Sequence, residues 1–207
     1  MYRQYIKPSL DIVLALLLIV ILSPFLLCGL IAATYDSRGK PFFIHTRPGY
    51  LEKPIGLLKF RTMRDEYDRT GRQLGNIERI TKIGRLLRTT SIDELPQLFN
   101  VLSVHLSLVG PRPLQTWYLP HYTPRQRLRH SARPGITGLA QVSGRNSLSW
   151  EEKFELDVKY VESQSFWLDF RILLKTGVKV FNPKEVNSGA GDTMEAFVKK
   201  TENSNSD

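Results

Sequence analysis

From Ile12 to Tyr35 the chain carries no charged residue, and Ser23-Pro24 interrupts the run near its middle. A straight helix of about 20 apolar residues crosses the hydrocarbon core of a bilayer, so length alone permits a span. Proline lacks a backbone donor and crowds the preceding turn, which dictates a kink or a break at that point. Both flanks are basic, with Arg3 and Lys7 before the run and Arg38 and Lys40 after it. Short basic flanks mark the cytoplasmic side. A spanning helix shows one such end, whereas a helix that dips in and returns shows two. The pattern predicts a re-entrant helix-break-helix over residues 1–36, its arms about 11 residues and roughly 16 Å long, one leaflet deep. A kinked spanning helix and a cleaved signal peptide stay open, although no convincing small-residue cleavage site is present. Leu27, just before Cys28, is too large for a lipoprotein site.

The remaining residues of this 207-residue chain suffice for one domain with a real core. Net charge is +9, which points to an anionic partner: nucleic acid, an acidic membrane surface or a phosphorylated substrate. Cys28 stands alone, which excludes an internal disulfide and a cysteine metal cluster.

After the apolar run, Phe42 to His45 and Ile55 to Arg61 read as short strands separated by glycine and proline. Asp65 to Asn76 reads as a polar loop. Ile80, Ile83, Leu86 and Leu87 have helical spacing. Arg79, Lys82, Arg85 and Arg88 recur every three residues and drift along the other side. They form either a solvated face or a surface for headgroups and substrate phosphates. Ser149 and Glu152 mark a capping box, followed by a helix with Phe154, Val158 and Val161 along one face. Phe166 to Val180 is amphipathic, with Trp167, Phe170, Leu173, Leu174 and Val178 set against Arg171, Lys175 and Lys179. Such a helix suits an anionic membrane interface, and core packing of the same stripe is an equal reading. The tail over 182–207 is polar and expected to be loosely ordered.

Asp93-Glu94 is the pair with the most chemistry in it. Two adjacent carboxylates beside clustered cations suit phosphate chemistry with a metal. Ser91 and Glu94 have capping-box spacing, which predicts that the acids sit at a helix N-terminus, where the dipole favours ionised carboxylates. Simple capping is the bland alternative. Val109-Gly110-Pro111-Arg112-Pro113 and the loop from Arg133 to Asn146 combine glycine, proline and arginine. Glycines admit phosphate oxygens to backbone amides and arginine forks grip them, which makes these loops candidate phosphate sites. No Walker A or Gly-x-Gly-x-x-Gly pattern is present.

Taken together, Ser23-Pro24, Lys59-Phe60-Arg61-Thr62-Met63, the run from Asp93-Glu94-Leu95-Pro96-Gln97 to Leu102, Gly110-Pro111-Arg112-Pro113, and Arg133-Pro134-Gly135-Ile136-Thr137-Gly138 make the chain resemble the monotopic phosphoglycosyl transferases. Its small, catalytic-domain-only members are the nearest in kind, and the likeness runs from Met1 to Val180. The resemblance implies an α/β fold, mostly helical with a few short strands. It implies a membrane hairpin broken at Ser23 and Pro24, a catalytic domain over 37–181, and a seat on the cytoplasmic face of the bacterial inner membrane. The implied reaction moves a sugar-1-phosphate from a UDP-sugar to undecaprenyl phosphate, giving the undecaprenyl-diphosphate-sugar and UMP. Asp93 would be the nucleophile, and Glu94 with Asp93 would hold Mg²⁺. Lys59, Arg61, Arg88, Arg112 and Arg145 would bind phosphate. Anionic lipids are the expected surroundings, nucleic acid is not an expected partner, and contacts with downstream glycosyltransferases or a second copy stay open. An N-acetylated amino sugar, such as diacetylbacillosamine or N-acetylgalactosamine, is the expected donor sugar. One departure from the family pattern is Val104-His105-Leu106-Ser107, where the family often has an acidic residue in the place of His105. Two rival readings are an inactive membrane scaffold in polysaccharide assembly, against which the intact acid pair speaks, and a basic nucleic-acid binder, which would not explain the apolar hairpin.

Overall fold

A computed structural model of the chain describes residues 1–65, 67, 70–72, 74–144, 147–181 and 197. A π-type turn at Tyr2–Ile6 leads into helix α1, Lys7–Ile21, and helix α2 follows at Ser23–Asp36. Leu22 joins them with φ −91° and ψ 6°. Pro24 has no N–H to offer the carbonyl of Val20, and the Ser23 hydroxyl donates to that carbonyl instead, at 2.8 Å. The flanking backbone bonds, Leu22 N–H to Leu18 O and Leu26 N–H to Leu22 O, are kept. The chain therefore bends at Leu22 without leaving the Val20 carbonyl unsatisfied.

Next comes an antiparallel hairpin, β1 (Phe42–Pro48) and β2 (Pro54–Phe60), in register from Phe42 opposite Phe60 to Pro48 opposite Pro54. Both strands match the sequence reading, with β1 three residues longer than expected. Helix α3 (Asn76–Arg79) and helix α4 (Lys82–Thr89) follow, α4 starting at a Thr81 cap whose side chain accepts from Gly84 N–H. The helix expected from Ile80 thus begins two residues later, because Ile80 makes a bridge to Met63 instead. Helix α5 (Gln97–Leu102), strand β3 (Ser107–Val109), helix α6 (Pro124–Arg127), strand β4 (Gly135–Thr137) and helix α7 (Leu139–Ser143) lead to α8 (Trp150–Ser163) and α9 (Phe166–Phe181). Strands β3 and β4 pair in parallel. The capping box of Ser149 and Glu152 forms as the sequence predicts.

The main core gathers Leu98, Val101, Leu106, Leu108, Val109, Tyr160 and Ile172, and α1 adds Ala15 to it. A second cluster joins Ala33 of α2 to Phe60 and Leu87. Both arms of the apolar segment are therefore fastened to the same body. Polar bonds reinforce this at their outer ends. Lys7 pairs with Asp169 at 2.7 Å, and Asp11 accepts from Ser107 Oγ at 2.7 Å. Asp36 pairs with Arg64 and accepts from Thr81 Oγ1. Toward the bend the arms leave Leu16, Leu17, Val20, Ile21, Phe25 and Leu27 exposed. On α9, Ile172 is buried while Phe166, Trp167, Phe170, Leu174 and Val178 lie open to solvent, Trp167 at 67%. Leu173 of the same stripe packs against the main core, so core packing accounts for only part of the stripe.

A third cluster is aromatic: Tyr118, Tyr122, Trp150, Phe154 and Phe197. Phe197 is 8% exposed, its ring 4.9 Å from that of Phe154. The tail predicted over 182–207 lies otherwise outside the described residues.

Candidate active site

Strand β2 carries Lys59, a tight helical turn at Ile92–Glu94 carries the acids, and the loop after β3 carries Arg112. Two devices bring β2 and that turn together. Asn100, in the α5 run, accepts from Leu58 N–H at 2.9 Å and donates to Gly56 O at 2.8 Å, fastening α5 along β2. Gly84 brings α4 against the backbone of Thr62. A methyl group there would meet Thr62 O at 2.1 Å, so no other residue permits that approach. Arg88, one turn later, donates to Thr62 Oγ1 at 2.8 Å.

The capping box expected at Ser91 and Glu94 does not form. Ser91 has φ 57° and no capping bond from its side chain, and the Glu94 carboxylate turns instead to cations. Lys59 Nζ donates to Glu94 Oε1 at 2.7 Å and Arg112 donates to the same oxygen at 2.9 Å. Burial alone would raise the Glu94 pKa, but Arg112 and Lys59 outweigh it and pull it down to about 2. Asp93 behaves in the opposite way. It is 8% exposed, and burial, with the Glu94 charge beside it, pushes its pKa up to about 6 against the pull of Lys59, Arg88 and Arg112. The sequence expectation of a carboxylate held ionised by a helix terminus is thus corrected: desolvation wins at Asp93. At neutral pH it is still ionised by roughly ten to one, and poorly solvated. Two adjacent carboxylates with pKa values driven apart are a recognisable division of labour in an active site.

Asp93, Glu94, Lys59, Arg88 and Arg112 therefore converge as the sequence predicts. Arg61 does not. It lies just past the end of β2, where it donates to the carbonyls of Lys40 and Phe42, pairs with Asp65 and lies over the Phe43 ring, so its guanidinium is engaged by these partners and not by the acid pair. Arg145 lies outside the described residues. The glycine loops also differ from expectation. Gly110 N–H bonds Thr137 O at 2.9 Å and Gly135 N–H bonds Pro111 O at 3.0 Å, so these amides fasten the two loops to each other and are not open to phosphate. His105 is exposed and bonds Ser103 Oγ at 3.0 Å.

Residues that sequence reasoning missed support the site from behind. Arg129 is fully buried, pairs with Asp157 at 2.6 Å, and donates to the backbone carbonyl of Arg112 at 2.8 Å. It thereby sets the height of the loop that presents Arg112 to Glu94. A lone arginine in a run of basic residues gave no signal of this.

Among the described residues no group of three or more His, Cys, Asp and Glu side chains could hold a metal. The acid pair nevertheless fits one kind of cation. Both basic partners of Glu94 use Oε1, which leaves Oε2 free of them, and Asp93 is adjacent. Mg²⁺ is commonly held by one or two carboxylates, with water and substrate phosphate oxygens completing the shell.

Residues 2–183 match the family described as bacterial sugar transferase. The chain is 48% identical over 192 residues to an uncharacterized sugar transferase, EpsL, of Bacillus subtilis, covering 93% of this chain and 95% of that one. It is 41% identical over 181 residues to a UDP-glucose:undecaprenyl-phosphate glucose-1-phosphate transferase of Caulobacter vibrioides, 82% of this chain and 67% of that one. To the undecaprenyl-phosphate galactose phosphotransferase of Salmonella typhimurium it is 37% identical over 191 residues, 84% of this chain and 40% of that much longer protein.

Proposed function

The chain belongs to the bacterial sugar transferase family, and from that premise we propose that it moves a sugar-1-phosphate from a UDP-sugar to undecaprenyl phosphate, releasing UMP. The observation that carries this reading is the acid pair itself: a desolvated Asp93 beside a Glu94 held ionised by Lys59 and Arg112. In the first step an Asp93 carboxylate oxygen attacks the phosphorus that bears the sugar. The bond from that phosphorus to the bridging oxygen breaks, UMP departs with the electron pair, and an aspartyl phosphosugar remains. In the second step a phosphate oxygen of undecaprenyl phosphate attacks the same phosphorus and Asp93 leaves as a carboxylate. Splitting the transfer in this way avoids bringing two anionic substrates together. Burial strengthens Asp93 as a nucleophile. Lys59, Arg88 and Arg112 surround the pair and offset charge gathering on the transferred group.

Glu94, with Asp93, would hold Mg²⁺, which supplies charge neutralisation at the diphosphate. For the donor sugar, the N-acetylated amino sugar stands beside glucose and galactose, the sugars in the names of the relatives.

The membrane reading is re-entrant. Both outer ends of the apolar segment are bonded to one body, at Lys7–Asp169 and Asp36–Arg64, while the residues near the Leu22 bend are exposed and apolar. The open face of α9 supplies a second interfacial surface. This geometry supports insertion from the cytoplasmic side of the inner membrane, with the acid pair at headgroup level.

The test is UMP release from a panel of UDP-sugars by nanodisc-held protein with Mg²⁺ and undecaprenyl phosphate, Asp93→Asn alongside. Release with one donor, absent in the variant, together with labelled phosphosugar trapped on Asp93, is the expected result. Turnover by Asp93→Asn at the wild-type rate would refute the nucleophile. Release that needs undecaprenyl phosphate to appear at all, even as a single-turnover burst, would refute the two-step route.

A further inference from the structure

Arg47, near the end of β1, lies within electrostatic reach of Arg112 and Glu94. In the β1–β2 register His45 stands opposite Leu57 and Arg47 opposite Ile55, while Phe43 stands opposite Lys59. Directly opposed residues in an antiparallel pair point to one face, and so do alternate residues of one strand. His45, Arg47 and Lys59 therefore share the face of the hairpin that Lys59 uses to reach Glu94. Residues 44 and 46, on the other face, are exposed, whereas His45 and Arg47 are half-buried. The next residue, Pro48, lines a small cleft with Pro111, Arg112 and Pro113, which sets the end of β1 beside the Arg112 loop.

Arg47 is badly placed for a structural cation. Among the described residues it forms no ion pair, and its guanidinium bond is to His45 Nδ1 at 3.3 Å. A guanidinium can only donate, so His45 accepts as a neutral ring. Burial and then the charges of Arg47 and Lys59 push the His45 pKa down, which agrees with that protonation state. Arg47 itself is pushed down to about 10, by burial first and by Arg112 second. Partial desolvation and like-charge repulsion both cost free energy. Keeping a five-donor fork there, propped by a neutral histidine, is intelligible if an anion arrives to meet it. The total charge agrees. Lys59, Arg88, Arg112 and Arg47 bring four positive charges against the two of Asp93 and Glu94, an excess suited to a diphosphate.

We propose that Arg47, held by His45, is a phosphate-binding arm of the active site that grips the nucleotide side of the donor. The position along the hairpin favours the nucleotide over the lipid. The Phe42–Phe60 row abuts α2, since Phe60 packs on Ala33. The Arg47–Ile55 row is five residues further on, about 17 Å at ~3.4 Å per residue. Lipid phosphate comes from the α2 side, and the leaving nucleotide lies at the far end. This rests on the donor reading above.

The experiment measures UDP binding by calorimetry to nanodisc-held protein, wild type against Arg47→Gln and Arg47→Lys, together with KM for the UDP-sugar and for undecaprenyl phosphate. Circular dichroism melting checks that each variant is folded. Arg47→Gln should weaken UDP binding and raise the UDP-sugar KM tenfold or more, with the undecaprenyl phosphate KM within twofold. Arg47→Lys, which keeps the charge but not the fork, should fall between. UDP affinity within twofold of wild type in Arg47→Gln would overturn the proposal. A loss confined to the undecaprenyl phosphate KM would overturn it equally, by assigning the arm to the lipid. If the wild type itself binds no uridine nucleotide, the donor reading fails and takes this proposal with it.

Discussion

Gly29, in α2, lies directly against Ile92, the residue before Asp93. A methyl group at position 29 would meet Ile92 Cγ2 at 2.9 Å and the Phe60 ring at 2.7 Å. The arm thus rests on the turn that carries the acid pair, and the contact is close because residue 29 has no side chain.

Substitution at Gly29 should therefore reach the chemistry through packing alone. Gly29→Leu must push α2 off Ile92 and Phe60, an overpacking that costs about 1–3 kcal/mol. UMP release is expected to fall at least tenfold, with Gly29→Ala intermediate, because the turn holding Asp93 moves. Steady-state rates and melting temperatures in the same nanodiscs check this. Leucine at position 29 with unaltered rate and stability would mean that α2 does not bear on the turn.

Asp93 should cost the protein stability that the reaction needs it to spend. Its folded pKa of about 6 lies above the ordinary carboxylate value of 3.8, so between those values the folded state binds more protons than the unfolded one. Stability from this group is then lost as pH rises from about 4 to 6, a loss of at most about 3 kcal/mol above that window. Glu94 has the opposite sign. Its pKa of about 2 against 4.5 gives stability that is present above the ordinary value and is lost as pH falls toward 2. Asp93→Asn removes the first effect and leaves the second. At pH 8 it is expected to melt at a higher temperature than wild type while releasing no UMP. Wild-type kcat/KM should fall as pH drops through about 6, as Asp93 protonates. A variant less stable than wild type at pH 8 would show that Asp93 is not paying a desolvation cost.

Local signals carried a good part of this structure. Ser23-Pro24 marked the bend at Leu22, and alternation marked β1 and β2. Ser149 with Glu152 marked the start of α8, and Asp93-Glu94 marked the centre of the site. What stayed hidden depends on partners far along the chain. The direction of the Asp93 pKa follows from what α2, α4 and β2 bury around it. Ser91 with Glu94 had the spacing of a cap, but Lys59 and Arg112 offered Glu94 better partners than a backbone amide. Arg61 sits in the same motif as Lys59, and only their partners separate the two cations: Glu94 for Lys59, and Asp65 with the carbonyls of Lys40 and Phe42 for Arg61. Asn100 bonds two backbone groups of β2, a role its place in the sequence does not announce. Gly110 and Gly135 suited a phosphate cradle equally well until their amides were found bonded across the loops.

Phe197 offers a test of a contact that the polar composition of the tail concealed. Its backbone N–H donates to Tyr118 Oη at 3.2 Å, and its ring sits 5.8 Å from that of Trp150 and 4.9 Å from that of Phe154. Phe197→Ala empties this position, and the loss should lie toward the low end of the about 3–5 kcal/mol typical of a core Phe→Ala change. Trp150 loses an apolar neighbour, so its fluorescence should shift to the red. Emission and melting temperature identical to wild type would place Phe197 outside the cluster in solution.

Pro24 carries the last test, because two different structures follow from its presence and its absence. With proline, the Val20 carbonyl lacks the residue-24 donor of a continuous helix, and Ser23 Oγ donates to it while the chain bends at Leu22. Pro24→Ala restores the N–H, so a continuous helix from residue 7 to residue 36 becomes available. Such a helix is about 45 Å long at 1.5 Å per residue, enough to cross the bilayer. It could not keep both the Lys7–Asp169 and the Asp36–Arg64 pairs on one body unless the bend survived. Pro24→Ala combined with Ser23→Ala is therefore expected to move the N-terminus across the membrane in part of the population, with activity falling in proportion. Cysteine labelling of a residue placed at the N-terminus, in a Cys28→Ser background and in sealed cells, reads the topology. Wild type should label only after lysis, and the double variant should gain a fraction labelled from outside. External labelling of the wild-type N-terminus would refute the re-entrant hairpin itself.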